Sequence, residues 1–178
     1  MKYQNYIRTI TSDKCLNYRL FKESHGYEQY LDILSGYSCI QDFIHFRLCK
    51  NHLPIEKGRW LGIPRHERVC RLCNAIQLGD EFHYLFSCPF FQGTRRTYIG
   101  HVNCSNPSIF TFKQIMSENN LYKLKWVCYF VSVIHKTLKS PPGSINYFVS
   151  CCFCCFSLCR FLFISLLSMY FYRLYVLY

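Results

Sequence analysis

The sequence predicts a mainly α fold: a small helical domain built around a cluster of cysteines and a histidine, followed by a hydrophobic C-terminal helix. Three observations carry this. Apolar residues recur three or four positions apart through much of residues 27–138, the step that lines one face of a helix. Between residues 70 and 88 a C-x2-C pair, Cys70 and Cys73, is followed by an H-x4-C pair, His83 and Cys88. After Pro141-Pro142-Gly143 the composition turns abruptly apolar and aromatic.

Residues 1–26 read as a loosely attached lead-in, in which Tyr, Lys, Arg and Thr mix without a sustained period. The helical domain spans residues 27–139. Tyr30, Leu31, Ile33 and Leu34 suit a first helix that Gly36 ends. Ile40, Phe43, Ile44 and Leu48 share one face of a second, with His45, Arg47 and Lys50 turned elsewhere. Pro54 stops that helix, because the residue before a proline resists the helical region. Two glycines and two prolines across residues 54–65 predict an ordered loop or a broken short helix around Trp60. Gly79-Asp80 makes a turn into a helix over residues 81–87, on which Phe82, Leu85 and Phe86 fall at i, i+3 and i+4. Pro89 suits the first position of a further helix ended by Gly100. Ser108 can cap a short helix carrying Phe110, Phe112, Ile115 and Met116. Asn119 or Asn120 can cap a longer one through Leu121, Leu124, Val127, Cys128, Val131 and Ile134 to about Leu138.

Two residues between Cys70 and Cys73 let both sulfurs of one tight turn face a single ion. With His83 and Cys88 they form three thiolates and one imidazole, a closed tetrahedral set that reads as structural rather than catalytic zinc. The competing reading is that cysteine is a small buried hydrophobe, and among 13 of them some C-x2-C pairs arise by chance. His66, His101 and Cys104 lie close enough in sequence to substitute at the third and fourth positions.

The formal net charge is +11. From residue 47 to residue 71 seven basic residues, Arg47, Lys50, Lys57, Arg59, Arg65, Arg68 and Arg71, face only Glu56 and Glu67. A basic block abutting a zinc knuckle favours a polyanionic partner, most simply RNA or DNA held with weak sequence preference. The same run also suits a solvated face without a dedicated partner. Trp60 stands beside Arg59 and near Lys57, where it suits either base stacking or the core. Arg95 and Arg96 add to the basic surface. The cysteine count is odd and residues 1–10 lack the apolar core of a secretory signal, which favours a reducing, intracellular setting with free thiols. No nucleophile elbow accompanies any cysteine, and nothing points to a small-molecule substrate, so no enzymatic activity is expected.

The run from Phe46-Arg47-Leu48 through Asn51-His52-Leu53-Pro54-Ile55-Glu56-Lys57-Gly58-Arg59-Trp60, Ile63-Pro64-Arg65 and Arg68-Val69-Cys70 to Gly79-Asp80-Glu81-Phe82-His83-Tyr84-Leu85-Phe86 and Cys88 resembles a known family. It is similar to the C-terminal zinc-binding region of reverse-transcriptase polyproteins from non-LTR retrotransposons. The resemblance covers residues 27–136 and is densest over residues 46–91. It implies that Cys70, Cys73, His83 and Cys88 bind zinc and that the module holds element RNA or target DNA near the polymerase. No Tyr-x-Asp-Asp carboxylate pair occurs, so the metal ligands for nucleotide transfer are missing. The chain resembles a detached tail of such an element, without its polymerase site.

Residues 140–146 read as a linker, and residues 147–178 as a hydrophobic tail. Residues 148–172 carry five cysteines and one charge, Arg160, and a run of that length can span a bilayer as a helix. Lys136 and Lys139 on its N-terminal side would keep the domain cytoplasmic, in a tail-anchored arrangement whose zinc module is structural or binds a protein. Arg160 would cost about 2.5–3.5 kcal/mol near the bilayer centre. Translated non-coding sequence also yields such a run. Localisation follows the tail: membrane if it inserts, nuclear or cytoplasmic if it does not.

Overall fold

A computed structural model describes residues 17–22, 25–73, 75–100 and 107–140. The chain divides into two units, Met1–Lys139 and Ser140–Tyr178. The tail and its proposed membrane helix lie outside the described residues, as do most of the lead-in and the substitute ligands His101 and Cys104. No helix among the described residues is long and apolar enough to cross a membrane.

The first unit is helical: α1 (Tyr18–Phe21), α2 (Tyr30–Ile33), α3 (Ile40–Arg47), α4 (Pro54–Trp60), α5 (Gln92–Tyr98), α6 (Ile109–Met116) and α7 (Leu121–Lys139). Short 3-10 turns cover Arg65–Glu67 and Pro89–Phe91. The caps that the sequence offers are used. Ser108 Oγ accepts the Thr111 N–H at 3.1 Å to start α6, and Asn120 Oδ1 accepts the Lys123 N–H at 3.2 Å to start α7. Pro54 takes the first position of α4, where its missing N–H costs nothing.

The core sits where α3 and α5 pack on α7. Phe43 and Phe46 from α3 are buried with Leu124, Phe130, Val131 and Ile134 from α7 and with Phe91. Removing one such phenylalanine from water contributes about 1.5–3 kcal/mol. Polar contacts reinforce the α3–α7 pairing: Asp42 accepts from Ser132 Oγ at 2.7 Å and faces His135 Nδ1 at 3.1 Å. Cys39 and Cys128 are joined by a disulfide whose Cα atoms lie 5.7 Å apart. The expectation of free thiols therefore fails for this pair, while Cys70, Cys73 and Cys88 stay outside any disulfide. Eighty-nine residues of sequence separate the two partners, so no local spacing marks them.

Three further expectations are corrected. Arg47 does not turn outward with Lys50. It is buried, pairs with Glu28, donates to the Met116 carbonyl, and lies 4.4 Å from the ring centres of both Phe21 and Tyr30. Arg95 is buried as well, bonded to carbonyls of the preceding turn. Residues 83–87 form a π-turn rather than a regular α-helix. Phe110 lies on the solvent side of α6, because Phe112, Ile115 and Met116 already fill its inner face.

Candidate metal centre

The ligand-bearing segment begins as a narrow ribbon. Val69 and Leu78 form an isolated antiparallel bridge, flanked by Cys70 N–H to Gln77 O at 2.9 Å and Gly79 N–H to Arg68 O at 2.8 Å. Cys73 lies in the bend that follows the bridge and Cys70 at its base. Gly79 is required by close approach: a Cβ there would sit 2.7 Å from Pro54 Cγ. The Ile55 N–H donates to Gly79 O at 3.2 Å, so α4 docks directly on the ribbon.

Asp80 then starts the second ligand arm by accepting the His83 N–H at 2.9 Å. The π-turn His83–Ser87 follows, closed by Cys88 N–H to His83 O at 2.7 Å. Four residues between His83 and Cys88 suit this wider turn, which a regular α-helical repeat would not close in the same place. Arg95 reaches back from α5 and donates to Leu85 O at 2.7 Å, Cys88 O at 2.9 Å and Tyr84 O at 3.3 Å. It thereby braces the turn through the Tyr84 and Leu85 carbonyls and through Cys88 O, which also accepts the Phe91 N–H at 3.2 Å.

The outcome is convergence. One ligand atom from each of Cys70, Cys73, His83 and Cys88 lies within 4.8 Å of the others. Cys70 Sγ is 3.9 Å from Cys88 Sγ, and Cys73 Sγ is 3.4 Å from His83 Nε2. Thiolates bound at about 2.3 Å in a tetrahedron stand about 3.8 Å apart, so the sulfurs are spaced for one shared ion and too far apart for a disulfide. Cys70, His83 and Cys88 are buried and Cys73 is partly so. The imidazole is aimed by a second contact: His83 Nδ1 faces Gln77 Oε1 at 2.9 Å, which leaves Nε2 as the donor turned to the cluster.

Without an ion, the electrostatics favour a thiolate at Cys70 and a protonated thiol at Cys73 and Cys88. The hydrogen bond from Cys88 holds the Cys70 thiol well below its usual range despite burial, with the Leu72 N–H assisting at 3.4 Å. The same bond pushes Cys88 up, and burial raises Cys73. Two further protons must therefore leave before all three sulfurs can ligate a cation. Burial, then the neighbouring Cys70, pushes up the Tyr84 phenol, whose hydroxyl has no hydrogen-bond partner at normal geometry. The four residues together can hold a metal ion.

His66 is not a ligand: its side chain is exposed and faces Glu67 at 3.5 Å. The predicted basic residues divide. Lys50, Lys57, Arg65 and Arg71 are exposed. Arg59 is tied to Glu56 at 2.6 Å, and Arg68 donates to Ile63 O at 2.7 Å and Ile55 O at 3.3 Å, holding α4 to the ribbon. Arg47 is withdrawn from the surface altogether. Trp60 is exposed rather than in the core. Gln77 and Arg95 were not foreseen at the site, and no spacing rule marks a residue that serves by aiming a ligand or bracing a turn.

Gln77 offers a direct check on the imidazole's aim. Gln77→Ala is expected to weaken metal affinity about tenfold to a hundredfold while leaving the helical signal intact, read by competition with a chromogenic chelator.

Set against family models, curated proteins and solved structures, the chain matches none of them.

Proposed function

We propose that the chain is a structural-zinc module that binds nucleic acid, akin to the C-terminal zinc-binding region of non-LTR retrotransposon reverse transcriptases and without their polymerase site. The observation that carries the proposal is the convergence of Cys70, Cys73, His83 and Cys88 on one point. Three thiolates and one imidazole favour zinc over harder cations, and four protein ligands leave no open position for catalysis. The zinc ion would be held by these four residues and would supply a crosslink between the ribbon and the π-turn.

The nucleic-acid part rests on charge. Lys50, Lys57, Arg65 and Arg71 are exposed along the segment that leads into the knuckle. Lysine and arginine contacts to phosphate release counterions, which makes affinity fall steeply with salt. With four such contacts the slope of log K against log salt is expected to be about −3 on a single strand. The sequence specifies no motif for reading base edges, so discrimination among sequences is expected to be weak.

The test is a salt titration of the zinc-loaded chain against single-stranded RNA and duplex DNA, together with elemental analysis of the purified protein. One zinc per chain and a steep slope are expected. A flat salt response would sink the nucleic-acid reading, and a metal-free, cooperatively folded chain would sink the zinc reading.

A further inference from the structure

The end of α4 leaves two adjacent large apolar side chains in solvent. Trp60 is 78% exposed and the adjoining Leu61 71%. Large side chains left in water at a helix end call for an explanation when they adjoin a cavity. Gly62, at φ +70°, takes the left-handed conformation that ends the helix. Both side chains line a cavity of about 670 Å³, whose other walls are Lys50, Asn51, His52 and Lys57. No carboxylate lines it among the described residues.

Two features prepare the indole for a planar partner. Arg59 is held by Glu56 through Nε at 3.2 Å and Nη2 at 2.6 Å, and its guanidinium carbon lies 5.5 Å from the centre of the Trp60 ring. That contact braces the ring and leaves most of its surface in solvent. The cations beside it lack a counter-charge: Lys50 and Lys57 enter no ion pair among the described residues that line the cavity. Burial, then the charges of Lys139 and Lys57, keeps His52 below its usual pKa against the opposing charge of Asp42.

We infer that this cavity takes an unpaired nucleobase, stacked on Trp60, with its flanking phosphates on Lys50 and Lys57. The inference rests on the nucleic-acid reading above and narrows it to single strands, since a base still paired and stacked in a duplex cannot present its face to an indole. An apolar peptide would gain from Trp60 and Leu61 but would bury the lysines uncompensated. A phosphate-linked aromatic ring satisfies both at once.

The test uses the full zinc-loaded chain carrying Trp126→Phe, so that Trp60 is the only tryptophan among residues 1–178. Oligouridylate is expected to quench its fluorescence at lower concentrations than matched duplex RNA or polyphosphate. Trp60→Ala is expected to weaken oligouridylate binding about 5- to 150-fold without changing the salt slope, whereas Lys57→Ala lowers the slope. Trp60→Phe should recover part of the loss. Zinc content and circular dichroism report whether each variant is folded. Unchanged affinity of Trp60→Ala, with the steep salt slope intact, overturns the stacking site and leaves nucleic-acid binding standing. No binding of any nucleic acid by the wild-type chain overturns both. Equal quenching by a polyglutamate peptide also overturns the stacking site, in favour of an acidic protein partner.

Discussion

Removal of zinc, or Cys73→Ala, is expected to abolish cooperative melting of the helical unit. The ligands come from two arms, the ribbon at Cys70 and Cys73 and the π-turn at His83 and Cys88. Each arm is short and irregular: one isolated bridge and one π-turn among the described residues. A bound structural zinc contributes on the order of 10–16 kcal/mol in finger peptides at neutral pH, as much as the whole stability of an ordinary domain. Without it the Tyr84, Leu85 and Phe86 wall, which belongs to the main core, loses the constraint that holds it in place. The effect should therefore reach α5 and α7 as well as the knuckle. Melting followed by circular dichroism, with zinc stoichiometry on the same samples, measures it. A Cys73→Ala protein that melts as sharply as the wild type contradicts the structural role. Metal affinity should also rise with pH, because Cys73 and Cys88 are held protonated without the ion and must release protons to bind it.

What could be read from the sequence was whatever is local. The C-x2-C and H-x4-C spacings are short-range facts, and each places its two ligands on one turn. The caps Ser108 and Asn120, the proline at the start of α4 and the three-and-four spacing along α7 are local too, and they were legible. The failures are long-range. A basic side chain looks the same in sequence whether it faces solvent or a buried carboxylate. Arg95 donates to carbonyls seven to eleven residues earlier, in the irregular turn and just past it, a contact that no sequence spacing marks. The Cys39–Cys128 pairing and the Asp42–Ser132 bond depend on how α3 meets α7, which periodicity does not specify.

Arg47→Ala is expected to cost about 3–5 kcal/mol of stability and to leave nucleic-acid affinity of the folded protein unchanged. Arg47 is 4% exposed, and its guanidinium is held by Glu28, the Met116 carbonyl and the faces of Phe21 and Tyr30. It thereby joins α1, α2, α3 and the end of α6. Truncation leaves Glu28 partly buried with Tyr18 at 2.6 Å and Lys22 at 3.3 Å as its remaining partners. Arg47→Lys keeps the charge but loses the planar fork that bonds two acceptors while stacking between rings, so only part of the stability should return. The pH dependence separates the ion pair from the packing. Burial works to raise the Glu28 carboxyl, but the Tyr18 hydroxyl, Arg47 and Lys22 together hold it below the ordinary value of 4.5. A carboxyl lowered on folding stabilises above that ordinary value, and its contribution disappears as pH falls through the folded pKa. The wild-type advantage over Arg47→Ala should therefore be full at pH 7, begin to narrow below about pH 4.5 and lose its ion-pair part as pH falls through the lower folded pKa of Glu28. Denaturant titrations at the two pH values measure the difference. A variant as stable as the wild type, with a shallower salt slope in nucleic-acid binding, would return Arg47 to the surface.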